Sequence, residues 1–314
     1  MKKTLSLILI VCLALTLNSP VYANAERKNP YDSLKAPSYI TKIGSEYFIV
    51  DCYNNQIIYN QNLTDEIGSW NVMTAEINLG HTIASDGMVY LVDDTENHRI
   101  LVMERRINHE GKPVFEKTQV FNEIGIRPHY VHYDEKTNAF YAWSSMTGEM
   151  YLFRRNPETN LVYLDEVIDV AFISKGTYVR SFTIIDDTIY FVSGNAAIMK
   201  ADLKTMRLIK AYPVPEHIAG MVKLVKIEDF YYLTVSTDFH GNQDFGTILR
   251  TADLSSLIHN EYEDIYDYFK AGGTPYNMTQ INNRWYLVES GLPGYYVWSF
   301  RVEDNAIRDV KLVY

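Results

Sequence analysis

The feature that most constrains this chain is a strand-rich unit that recurs about six times along it. In Gly80–Arg106 (GHTIASDGMVYLVDDTENHRILVMERR) a short strand leads through an Asp-Gly turn into an apolar strand ending in acid, and a polar turn then opens a third strand. Apolar segments of the same kind end at Asp51, Asp93, Ser144, Ser193, Ser236 and Glu289, spaced 42, 51, 49, 43 and 53 residues apart. Each follows a break with turn chemistry: Gly44-Ser45, Asp86-Gly87, Glu135–Asn138, Asp186-Asp187, Glu228-Asp229 and Asn282-Asn283. Most of these breaks have the composition of two-residue hairpin connections. A strand-rich period in the forties to fifties predicts propeller blades rather than helical repeats. Third strands follow at Gln56–Tyr59, Arg99–Met103, Met150–Phe153 and Tyr296–Phe300, and outer strands at Thr118–Phe121, Val162–Val167 and Arg308–Val313. The expectation is therefore an all-β fold, a six-bladed β-propeller of four-stranded antiparallel blades over residues 37–314, with a polar arm at 26–36.

One stretch departs from the pattern. In Thr251–Lys270 the residues Leu254, Leu257, Ile258, Tyr262, Ile265 and Phe269 fall at helical spacing, and Gly272-Gly273 is a natural stop. It reads as a helical insertion packed on the rim of blade five, a surface helix burying its apolar stripe.

Residues 1–25 read as a secretory signal. Lys2 and Lys3 form a basic start, Leu5–Leu17 is an apolar run too short for a membrane span, and Ala23-Asn24-Ala25 fits a small-x-small cleavage site. Bulky Val11 before Cys12 argues against a lipid-anchored cysteine. Removing the two lysines with the signal takes the formal charge from −10 to −12, which argues against nucleic acid or an anionic membrane as partner. Only Cys52 then remains, so no intramolecular disulfide is expected, and nothing around this thiol marks it as a nucleophile.

The segment Tyr90-Leu91-Val92-Asp93-Asp94 followed by Asn97-His98-Arg99-Ile100 resembles the NHL repeat of six-bladed propellers. Blade one echoes it as Ile49-Val50-Asp51 and Asn54-Asn55-Gln56-Ile57, while blades three to six keep the strands and lose the Asp…Asn-Arg-Ile portion. In NHL families that portion is structural, so the resemblance implies architecture and no activity. Six-bladed propellers do include secreted lactonases, sugar lyases and hydrolases, several with a divalent metal over the central channel.

Propeller geometry places a site without a motif. The innermost strand of each blade lines the channel, and ligands bind on one face where loops converge on a funnel. The inner-strand starts are Tyr39, His81, His129, Arg180, Met221 and Tyr276. His81, His129, Arg180, Tyr276 and Tyr39 are accordingly the expected ligand-binding residues, polar or cationic groups converging in an acidic protein. Tyr295 and Tyr296 join Tyr39 and Tyr276 as expected aromatics of that face. Tyr90, Tyr141, Tyr190 and Tyr286 recur at one strand position and read as core between blades. The same face receives Asp51, Asp93, Asp94, Ser144, Ser193 and Glu289, for which turn capping is the commoner role. The blade-five loop Thr237–Gly246 is the longest of its class, and Phe239, His240, Asn242 and Asp244 are placed to reach over the funnel. His129 and His132, three apart on a strand, make a poor metal pair.

Phosphate loops, zinc spacings, EF-hand loops and nucleophile elbows are absent from the sequence. The leading expectation is a secreted recognition module binding a small-molecule, glycan or peptide ligand at the funnel. The alternative is a secreted propeller enzyme, possible in this scheme with a divalent metal held by Asp51, Asp93 or Glu289, His81 or His129 as ligand or base, and Arg180 polarising the substrate. A third reading, a protein-interaction scaffold, would use the rim segment 251–270.

Overall fold

The computed structural model describes residues 26–314 apart from 175, 244, 245, 270, 271, 292 and 295. The expected export signal at 1–25, Asp244 and Tyr295 thus lie outside the described residues. Blade one is β1 (Pro37–Ile43), β2 (Glu46–Asp51), β3 (Gln56–Asn60) and β4 (Asn71–Thr74); blade two is β5 (Ile83–Ser85), β6 (Val89–Asp94), β7 (Arg99–Ile107) and β8 (Pro113–Phe121). Blade three is β9 (Pro128–Asp134), β10 (Ala139–Ser144), β11 (Glu149–Arg155) and β12 (Val162–Asp169); blade four is β13 (Val179–Ile185), β14 (Thr188–Ser193), β15 (Ala197–Asp202) and β16 (Leu208–Pro213). Blade five is β17 (Gly220–Ile227), β18 (Phe230–Thr237), β19 (Thr247–Thr251) and β20 (Glu263–Asp264); blade six is β21 (Thr274–Ile281), β22 (Arg284–Ser290), β23 (Val297–Glu303) and β24 (Ala306–Leu312). Every blade is a four-stranded antiparallel sheet of consecutive strands, so the molecule is an all-β six-bladed propeller. Each first hairpin turns through a residue at positive φ, namely Gly44, Gly87, Asn138, Asp186, Glu228 and Asn282, the conformation such tight connections require.

The second strands are continuously apolar because both of their faces are buried. Phe48 and Val50 of β2 pack towards blade two, whereas Ile49 packs towards blade six. Likewise Tyr90 and Val92 face blade one while Val89 and Leu91 face blade three. Six apolar clusters result, one per blade interface, and the recurring tyrosines Tyr90, Tyr141, Tyr190 and Tyr286 each sit in one. Fully buried aromatics such as Trp70, Trp143 and Phe191 anchor them; each such side chain removed from water contributes on the order of 2–3 kcal/mol.

The ring closes by packing of β1 on β21 and β22, with no strand exchanged between the first and last blades. The arm adds to blade one rather than blade six: Lys28 bridges Asn71, and the Val72 amide donates to the Arg27 carbonyl. From the other side, the Tyr314 hydroxyl donates to the Leu63 and Asp65 carbonyls, and its ring meets Trp70 edge-on.

The expected rim helix is corrected. Leu254–His259 is a 3-10 helix, Glu263–Asp264 is the outer strand of blade five, and Tyr266–Phe269 is a second 3-10 turn. Asp253 caps the first helix by accepting from the Ser255 amide, and Asn260 ends it in the left-handed region. At three residues per turn Leu254 and Leu257 share one buried face and Ile258 falls off it, 42 % exposed.

Candidate functional site

The strand-end acids are caps. Asp51 accepts from the Lys35 and Ala36 amides and from the Asn54 side chain. Asp93 accepts from the His81 and Thr82 amides and from the Thr82 and Thr95 hydroxyls. Asp94 accepts from the Asn78 amide, from Asn97 and from Arg99. Asp94, the last residue of β6, is therefore the counterpart of Asp51, one place beyond the position the spacing suggested. In both blades a 3-10 turn follows and ends in a left-handed residue, Asn55 or His98, so the Asp…Asn-Arg segment shapes a turn. Ser144 does the equivalent work in blade three, taking the Ile126 amide. With their lone pairs committed to backbone and side-chain donors, Asp51 and Asp93 are poor metal ligands, and among the described residues no three His, Cys, Asp or Glu side chains converge into a metal-binding group. Cys52 is buried, and its thiol is pushed up to about 12 by desolvation, with Asp93 and Asp51 adding to it, so it is inert.

Neighbouring blades are tied beside the channel by first- and second-strand side chains that reach the next blade's backbone. Ser38 donates to the His81 carbonyl, Ser181 and Thr183 to Val222 and Leu224, and Thr234 to Tyr276. This frame positions a cross-channel cluster. The Tyr276 hydroxyl of blade six lies 3.0 Å from Nδ1 of His81 in blade two and 3.2 Å from Nε2 of His129 in blade three. The two imidazoles stack with centroids 3.8 Å apart. Nδ1 of His129 is 2.8 Å from the Arg180 carbonyl, which can only accept, so that nitrogen carries the proton. It follows that Tyr276 donates to Nε2 of His129 and accepts from Nδ1 of His81, leaving Nε2 of His81 with the relay's free lone pair. Burial, followed by the Arg127 and Arg180 guanidiniums, holds His81 down to about 3. His129 is likewise well below the usual imidazole range, through burial first and then the adjoining His81. Burial raises Tyr276. The relay is neutral across the physiological range.

A cavity of about 320 Å³ opens between blades four and five, walled by Tyr178, Arg180, Gly220, Met221, Thr237 and the loop residues Asp238, Phe239 and His240, with the Asp238 carboxylate accepting from the His240 and Asn242 amides. Gly220 permits this close approach: a Cβ there would lie 2.3 Å from the Thr237 carbonyl oxygen. The Arg180 guanidinium donates to the Gly220 carbonyl and the Ser236 hydroxyl and lies 5.7 Å from the Tyr178 ring centroid. Among the described residues no carboxylate lies within ion-pair distance of it. Arg127 approaches the same ring at 5.5 Å but is paired with Glu96 at 2.6 Å.

Of the expected binding residues, His81, His129 and Tyr276 are thus brought into one hydrogen-bonded cluster, with Arg180 joined to it by its carbonyl and lining the cavity by its side chain. Tyr39 is not part of that cluster: the bulged residue of β1 that matches His129 in β9 and Tyr276 in β21 is Ser38, one place earlier, and the Tyr39 hydroxyl pairs with Thr279 and Thr41. Tyr296 is no surface aromatic either, being 8 % exposed between blades six and one. The sequence reading missed Tyr178 and Arg127, which precede their inner strands by one residue and carry no motif. It also missed the glycines Gly80 and Gly220 that mark where a strand start meets the end of its neighbour.

No family model matches the sequence, so the NHL likeness rests on blades one and two, and no curated protein matches it either. Solved structures do match in fold. A candidate 6-phosphogluconolactonase from Bacteroides uniformis ATCC 8492 superposes with a TM-score of 0.59 at 10% identity, covering 92% of this chain and 86% of that one. A streptogramin B lyase matches with a TM-score of 0.55 at 15% identity, over 90% of this chain and 85% of that one. A catalytically inactive His-to-Ala variant of virginiamycin B lyase from Staphylococcus aureus, solved with Quinupristin, matches at 0.53 and 16% identity, over 92% and 88%. At these identities the likeness is one of fold.

Proposed function

We propose that the protein is an exported ligand-binding propeller whose funnel takes an anionic group of a small or oligomeric ligand, a sugar acid or a peptide carboxylate. The observation that carries this reading is Arg180: a guanidinium lining a cavity, hydrogen-bonded to neutral partners and, among the described residues, within ion-pair distance of no carboxylate, in a chain of formal charge −10. Nearly every carboxylate would be repelled by the molecule at long range, so recognition depends on this local charge. The neutral His–Tyr–His cluster beneath supplies fixed donors and acceptors. Calorimetric titration with oligogalacturonate and with short peptides bearing a free or an amidated C-terminus tests it. Binding should require the free carboxylate, weaken with salt, and fall about 10- to 100-fold in Arg180→Met, the scale of one charge-assisted hydrogen bond. Equal binding of neutral and charged probes, or an unaffected Arg180→Met, would sink the reading.

A second reading, a lyase- or hydrolase-like enzyme, is favoured by the relay that ends on the free nitrogen of His81 and by the fold likeness to lyases. The depressed basicity of both imidazoles weighs against it unless a bound anion offsets the two guanidiniums. Turnover lost in His81→Gln with ligand affinity intact would move this reading ahead; turnover unchanged in that variant would eliminate it.

A further inference from the structure

Below the relay the channel holds a second polar cluster built around Lys223. Its residue is 6 % exposed, and its ammonium nitrogen lies 2.6 Å from the Tyr130 hydroxyl and 2.8 Å from the Phe182 carbonyl. The same nitrogen is 4.2 Å from the Tyr130 ring centroid. Lys223 reaches from blade five past blade four to blade three, and among the described residues no carboxylate pairs with it. Around it Tyr39, Thr41, His132, Thr183 and Thr279 are each only partly buried. Desolvation alone lowers this amine to about 7, against 10.5 for an ordinary lysine.

A lysine placed to brace three blades would be served as well by a shorter polar side chain or by a paired one. What this arrangement adds is an amine with a hydroxyl against it, among partly buried side chains of the inner strands. We propose that Lys223 is a covalent site for small carbonyl compounds, aldehydes above all, which it takes as imines from the hairpin side of the channel. The lone pair of Nζ attacks the carbonyl carbon and forms the C–N bond, while the π pair moves to oxygen and takes a proton. The carbinolamine then expels water as the C=N bond forms, so that amine plus aldehyde gives imine plus water, with no oxidant or reductant. The Tyr130 hydroxyl, at hydrogen-bond distance from Nζ, hands a proton to the departing oxygen and takes one back from the nitrogen as the C=N bond forms, and His132 leaves the site uncharged, since burial and the neighbouring lysine hold its imidazole down to about 4.

The test is reductive trapping on the full chain. The protein is incubated at pH 7 with acetaldehyde and cyanoborohydride, digested, and the modification of every lysine followed by mass spectrometry against time. Lys223 should be modified at least tenfold faster than any other lysine, with a pH–rate profile that bends near 7. Tyr130→Phe, which keeps the ring and its packing, should slow that site about tenfold and leave surface lysines unchanged. Lys223 left unmodified while surface lysines react would overturn the proposal, as would equal rates at Lys223 in folded and urea-unfolded protein.

Discussion

Replacing Lys223 by Met tests the electrostatics of the channel directly. Between about pH 7 and 10.5 the unfolded chain holds a proton on this amine that the folded chain lacks, so stability rises with pH across that interval. Each pH unit of such a difference is worth about 1.4 kcal/mol. The burial penalty is therefore about 5 kcal/mol at pH 6 and about 2 kcal/mol at pH 9, from the fall from 10.5 to about 7. Lys223→Met removes this penalty and leaves the Tyr130 hydroxyl and Phe182 carbonyl without their partner, at about 1–3 kcal/mol each. The second effect does not depend on pH, and all other titrating groups are common to both proteins. Urea unfolding of the two proteins at pH 6 and pH 9 isolates the first: the stability of the variant relative to the parent should shrink by roughly 2–3 kcal/mol on going to pH 9. A difference that is the same at both pH values would refute the reasoning, because it would mean that the folded amine keeps its proton.

Burial raises the Glu289 carboxyl to about 7, with the Trp298 indole donating to it at 3.0 Å, so the folded chain holds a proton that the unfolded one has lost and stability falls as pH rises from 4.5 to 7. Glu289→Gln should remove that fall and be up to about 3 kcal/mol more favourable relative to the parent at pH 8 than at pH 4, by chemical denaturation. His132 behaves oppositely: its imidazole stays neutral to about 4 while the unfolded one protonates at 6.5, so stability is lost as pH drops through that window. His132→Leu should lessen the acid loss by up to about 3 kcal/mol, read from denaturation midpoints at pH 7 and pH 4. Tyr314→Ala, which loses two hydrogen bonds and the Trp70 contact at the ring seam, should cost about 3 kcal/mol and lower Tm by several degrees in calorimetry; an unchanged Tm would show the seam to be held by other contacts.

The blades were legible because a strand buried on both faces writes a continuous apolar run, as Tyr47–Val50 and Val89–Val92 do, and because each hairpin needs a left-handed residue. Three of the expected binding residues meet because inner-strand starts lie at one level of a ring, a consequence of period alone. Tyr39 departs since it lies one residue past Ser38, the bulged position that matches His129 and Tyr276, and a bulge leaves no mark in an apolar pattern. Lys223 was invisible for a related reason. Met221–Ile227 is an apolar run carrying Lys223 and Lys226, and nothing in that pattern says which of the two lysines the ring encloses and which it leaves exposed. The segment 251–270 misled because Leu254 and Leu257 satisfy a period of 3.0 as well as one of 3.6.

Tyr276 with its two histidines, and Lys223 with Tyr130, join side chains of different blades at successive positions along the inner strands. The two clusters are contiguous: His129 belongs to one and the next residue, Tyr130, to the other, while Arg180 and Phe182 supply carbonyls to the two from a single strand. By the reciprocity of linked equilibria, a ligand on Arg180 that shifts the imine equilibrium at Lys223 has its own affinity shifted by the same free energy when the imine is present.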